Sequence, residues 1–159
     1  MDKRDEFALW IATEVLRAND DALSASALEQ IGERAASPQA LDAALQEAAA
    51  QSRRPGDFGV EFIGPLIPVV LVGFGRLLWD EYVKAVAKNG GDALAKLTIE
   101  AVKELVRKTW SQDGPTLTVA EAEGRLREAA AKAGLDGAQT EVVLGSLRKP
   151  AVAAALTAG

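Results

Sequence analysis

Hydrophobic positions return at helical spacing along almost the whole chain. In residues 5–18, DEFALWIATEVLRA, the side chains Phe7, Trp10, Ile11, Val15 and Leu16 recur every three or four residues and mark one face of a helix. Asn19-Asp20-Asp21 interrupts the pattern and can cap the next element. In SALEQIGERAAS, Ser26 with Glu29 three residues later has the spacing of a capping box, which predicts a second helix. Ser37-Pro38 opens a third, because serine suits the cap and proline suits the first helical position. It is expected to run to about Ala50. Residues 1–50 therefore read as an acidic module of three short helices. QSRRPGDFG (51–59) comes next as a linker, marked by Pro55 and Gly56.

The pattern changes in FIGPLIPVVLVGFGRLLW (62–79), where polar positions almost vanish. Residues 58–64 lack a second strand to pair with and read as an extended approach to a helix. Pro68 fits the first turn of a helix reaching about Lys88, which leaves Pro65 outside it. Asn89-Gly90-Gly91 is a stop signal, and Asp92 is placed to cap a second helix, DALAKLTIEAVKELVRKTW. Leu94, Leu97, Ala101 and Leu105 form its apolar stripe, widened by Ile99, Val102 and Val106. Asp92–Lys96, Lys96–Glu100 and Glu104–Lys108 stand at i,i+4 on its polar side. The short connection predicts an antiparallel hairpin over residues 60–110. After a linker at 111–117, Thr118 with Glu121 and Asp136 with Gln139 each have capping-box spacing. Gly134 stops the first of these helices, and Pro150 opens a last short one. The predicted fold is all-α: a central apolar hairpin flanked by a helical module at 1–50 and another at 118–159.

Composition narrows the chemistry. The chain has 159 residues, with neither cysteine nor histidine. Disulfides, thiolate metal sites, a cysteine nucleophile and the commonest general base are excluded. Glycine-rich phosphate loops are absent, because Gly73-Phe74-Gly75-Arg76 lacks the required spacing and belongs in a helix. Asp80-Glu81 and the pair Glu121 and Glu123 read as helix-face carboxylates. No enzyme activity, catalytic residue, metal, cofactor or small-molecule substrate is expected. Residues 1–57 carry six basic and eleven acidic side chains, so most of the net charge of −5 lies there. With no basic block, nucleic acid is not an expected partner. MDKRDEFALW is charged from its first residues and lacks the pattern of a secretory leader, which points to a cytoplasmic protein.

The expected work is association. Fourteen uncharged residues lie between Glu61 and Arg76, short of the roughly 20 that a spanning helix needs. Extension past Arg76 to Trp79 and Tyr82 would give a lipid-interface anchor, provided that Arg76 snorkels. Otherwise the stretch is a core in which Gly73 and Gly75 allow close helix contact. Arg76 can pair at i,i+4 with Asp80 on the surface, or with Glu61 if both are buried. Lys103, Arg107 and Lys108 suit a helix C-terminus or anionic headgroups. The candidate contact residues are Phe62, Ile63, Leu66, Ile67, Phe74, Arg76, Trp79, Tyr82, Lys103, Arg107 and Lys108. The segment GPLIPVVLVGFGRLLWDEYVKAVAKNGGDALAKLTIEAVKELVRKTW also resembles apolar helical-hairpin modules of actinobacterial conflict and defence proteins. The resemblance rests on the Pro/Gly-rich apolar helix, the glycine turn and the basic end, and implies action on membranes or a place in a larger assembly. Two functions are thus expected: a non-enzymatic interaction protein that binds a protein partner or itself, or a small membrane-active effector associated with lipid.

Overall fold

A computed structural model describes residues 1–52 and 64–158, and among them every regular element is helical. The helices are α1 (Lys3–Ala18), α2 (Ala22–Arg34), α3 (Pro38–Ser52), α4 (Ile67–Ala87), α5 (Gly91–Ala95), α6 (Ile99–Ser111), α7 (Val119–Lys132), α8 (Gly137–Leu147) and α9 (Pro150–Thr157). The all-α reading holds. Residues 58–63 of the expected extended approach and most of the 51–59 linker lie outside the described residues.

Several caps are the ones that the sequence marks. Ser37 Oγ accepts from the Ala40 N–H at the start of α3. Thr118 with Glu121 and Asp136 with Gln139 both close reciprocal capping boxes, each satisfying two backbone donors that a helix start leaves free. Pro68 stands in the first turn of α4. Two caps differ from expectation. The Ser26–Glu29 capping box does not form, because α2 begins at Ala22 and Ser26 lies inside it; the cap is Asp21, of the Asn19-Asp20-Asp21 break, which accepts from the Ser24 N–H. Asp92 lies in the first turn of the short α5 without capping it. Thr98 is the cap that starts α6, accepting from the Ala101 N–H. The predicted second hairpin helix is therefore two helices, broken across Lys96–Thr98. Threonine in extended geometry gives the backbone a side-chain acceptor that a continuous helix would not need. The ion pairs along α6 form at i,i+3, as Lys103–Glu100 and Arg107–Glu104, in place of the expected i,i+4 pairs.

α4 is apolar around most of its circumference, which fits a helix surrounded by others. Its most extensive neighbours are α1 on one side and α7 on another. It meets α6, the hairpin partner that the short connection predicts, over a much shorter stretch. One contiguous buried cluster links Phe7, Ile11 and Leu28 to Phe74, Leu78 and Tyr82, and onward to Val106, Leu126, Leu144 and Leu156. The segments that composition sets apart share this core.

α1 and α4 cross in near contact. A Cβ built on Gly75 would stand 2.6 Å from Ala8 Cα and 2.8 Å from Ile11 Cγ2. Glycine at that point lets the two backbones approach. Gly73 is different: a Cβ there would meet Ala129 Cβ of α7 at 3.5 Å, an ordinary separation. Of the two glycines expected to permit close packing, only Gly75 is needed for it, and the helix that it admits is α1.

Candidate functional site

Arg76 lies in the apolar part of α4 and faces inward, and its partners come from other helices. Its Nε donates to Asp5 Oδ1 of α1 at 2.7 Å, and its Nη1 donates to Asp42 Oδ1 of α3 at 2.5 Å. The Asp5 side chain is 1% exposed, Arg76 14% and Asp42 57%. Burial works against the Arg76 charge, but the hydrogen bonds and charges of the two carboxylates outweigh it and raise the pKa above its ordinary value. Among the described residues, Arg76 Nη2 and Asp5 Oδ2 are both buried and find no hydrogen-bond partner. The pair is thus one bond short of a bidentate fork. Of the two expected partners, Asp80 is held by Arg4 through bonds of 2.9 and 3.0 Å, and Glu61 lies outside the described residues. Arg76 ties α1, α3 and α4 together, a structural role that local spacing does not reveal.

The other candidate contact residues divide by burial. Phe74 and Tyr82 are 0% exposed and belong to the core, so they do not present a contact surface in this fold. Tyr82 Oη and Thr109 Oγ1 share a hydrogen bond of 2.7 Å that joins α4 to α6. Burial pushes the Tyr82 phenol up to about 12, although the bond to Thr109 pulls the other way. Trp79 is half-buried with its ring 5.6 Å from that of Phe7, so the proposed interface anchor is engaged with α1. Leu66 and Ile67 are half-buried against the core. Phe62 and Ile63 lie outside the described residues. The basic group on α6 is dispersed: Lys103 stands 4.9 Å from the Trp10 ring centroid, Arg107 pairs with Glu104, and Lys108 is exposed.

The paired carboxylates also find structural partners. Glu81 meets Arg125 at 3.4 Å, Glu121 completes a cap, and Glu123 takes both donors of Arg148 at 2.9 and 3.1 Å. The Arg148 hydrogen bond, opposed in part by burial and reinforced by charge, holds the Glu123 carboxyl below its usual range.

Two concavities stand out as candidate sites. A cleft of about 290 Å³ lies among α1, α3, α4 and α7, with Arg4, Arg76, Lys132 and Asp42 on its walls. The charges of Arg4 and Arg76 are already taken up by Asp80, Asp5 and Asp42, so this cleft is the outer side of an internal ion-pair network. The second is an open groove of about 370 Å³ between α1 and α2. Leu9, Trp10 and Gly32 make its apolar floor, and Glu6, Glu14, Glu29 and Glu33 stand around it with Arg17. Six of its residues lie on α1 between Glu6 and Arg17 at helical spacing, so the groove follows the α1 axis. Gly32 sets its depth, because a Cβ there would meet Leu9 Cδ1 at 2.8 Å.

Sequence reasoning placed the acidity in this third of the chain but did not assemble the groove. The available signal was the run of Glu6, Thr13, Glu14 and Arg17 interleaved with Leu9 and Trp10 on one side of α1. Its pairing with α2 could not be read from spacing. No family model, curated protein or solved structure matches this chain.

Proposed function

We propose that this chain is a non-enzymatic helical interaction protein that works by docking a protein partner through the α1–α2 groove. The observation that carries this reading is the combination of an apolar floor, Leu9 and Trp10, with a charged rim in an open concavity. Most of the apolar inventory of α4 is committed to the core. The exposed large hydrophobic residues Met1, Leu23, Leu94 and Val142 belong to different segments and are not a feature of α4. A helical bundle bearing an amphipathic groove suits recognition of a helix or short segment.

The membrane-active alternative requires more rearrangement. Among the described residues no helix is long and apolar enough to cross a membrane. To present its apolar face to lipid, α4 would have to leave α1 and α7 and break the Arg76–Asp5 pair. Co-sedimentation with vesicles rich in anionic lipid, alongside size-exclusion light scattering, tests the proposal. The expected result is a defined species that stays in the supernatant. Vesicle binding lost on deletion of residues 62–79, with the remaining chain folded, would overturn it in favour of the membrane effector.

A further inference from the structure

We infer that the occupant of the α1–α2 groove is a basic amphipathic helix of a partner protein, an inference that rests on the docking role proposed above. Charge gives the first argument. Four glutamates and one arginine line the groove, leaving three negative charges in excess. Arg17 serves Glu29 directly and Glu14 at 3.9 Å, while Glu6 and Glu33 have no ionic partner among the described residues. Such a rim favours Lys or Arg and repels acidic segments.

Shape gives the second. The α1 stripe from Glu6 to Arg17 extends about 16 Å at 1.5 Å per residue, the length of three helical turns. A partner helix lying along it can set large aliphatic side chains at i and i+3 or i+4 over Leu9 and Gly32, with flanking lysines or arginines reaching the two rims.

The test uses the full chain and a synthetic helical peptide of about 16 residues, long enough to cover the groove. It carries leucines at i, i+3/i+4 and i+7 and lysines beside them. One control is a scrambled peptide of equal composition without a single apolar face. Titration is followed through the backbone and tryptophan-indole signals of the labelled protein. The expected result is perturbation of the Trp10 indole and of α1 and α2, and binding about tenfold weaker for the scrambled peptide, as loss of a few buried aliphatic contacts implies. Glu6→Gln with Glu33→Gln should weaken binding about fivefold and flatten its salt dependence. Gly32→Leu should block the groove by driving Leu9 outward; the contact it makes is with the end of a flexible side chain, so the fold can adjust.

Equal binding of ordered and scrambled peptides, or shifts mapping away from α1 and α2, would overturn the inference. If the peptide fails while the protein self-associates through a surface closed by Gly32→Leu, the basic-helix partner is wrong but the docking role stands. If neither peptide binding nor groove-dependent association occurs, both are refuted.

Discussion

Two glycines on one helix turn should respond to the same substitution with opposite signs. Gly75→Ala places a methyl 2.6 Å from Ala8 Cα, 2.8 Å from Ile11 Cγ2 and 3.0 Å from Ala8 Cβ. Carbon atoms normally rest about 3.5–4.0 Å apart, so the methyl enters roughly 1 Å inside contact with a backbone atom that cannot rotate away. α1 and α4 must separate, and overpacking of this kind costs about 1–3 kcal/mol or more. Helix propensity returns up to about 1 kcal/mol on replacing glycine by alanine. With the full propensity gain the expected net effect is a loss of up to about 2 kcal/mol. Gly73→Ala gains the same propensity and meets only Ala129 Cβ at 3.5 Å, so it should stabilise by up to about 1 kcal/mol. For a chain of this size each kcal/mol moves Tm by about 2–4 °C. Thermal and urea unfolding followed by circular dichroism should therefore lower Tm for Gly75→Ala and raise it for Gly73→Ala. If Gly75→Ala unfolds at or above the wild-type temperature, the close α1–α4 crossing is wrong, and with it the central position of α4 against α1.

The ion-pair network and the buried phenol give further tests. Arg76→Leu leaves the Asp5 carboxylate buried without its cation and should cost about 3–5 kcal/mol in urea unfolding. Adding Asp5→Leu should recover most of that loss. Asp42→Ala, at a far more exposed carboxylate, should cost less than about 1 kcal/mol in the same assay. The Tyr82 phenol is held up at about 12 in the fold, against about 10 when unfolded. The unfolded chain therefore loses this proton first, and stability falls as pH rises through that interval, by about 3 kcal/mol in all. Tyr82→Phe should abolish this alkaline loss while costing about 1 kcal/mol at neutral pH, since Thr109 keeps the Leu105 carbonyl as an acceptor. Glu123 has the opposite sign. Its depressed carboxyl stabilises the fold above the ordinary carboxylate range, and this stability disappears as pH falls through the folded value. Unfolding measured across the acid limb should show a shallower pH dependence for Glu123→Gln than for wild type.

Local patterns wrote much of the secondary structure. Ser37-Pro38, Thr118 with Glu121 and Asp136 with Gln139 work within a few residues, so these helix starts are legible from spacing, although the same spacing at Ser26 and Glu29 falls inside α2. The same applies to Pro68 at the start of α4 and to the all-α class, which comes from the helical period of the apolar residues. The absence of cysteine and histidine likewise bounds the chemistry before any fold is known.

Tertiary packing decided the rest. An apolar helix such as α4 declares that it will be covered, but every apolar face is an acceptable cover, and hydrophobic attraction carries no address. A short connection suggested α6, whereas the glycine at position 75 admits α1. Arg76 could meet Asp80 by helical arithmetic, yet it reaches Asp5 and Asp42 because it faces the core and Asp80 faces Arg4. The groove obeys the same logic: the sequence by itself determined its acidity and the amphipathic stripe on α1. Only the packing of α2 beside that stripe, with Gly32 over Leu9, made the two into a site, since a surface built from two helices depends on distances that no single helical period contains.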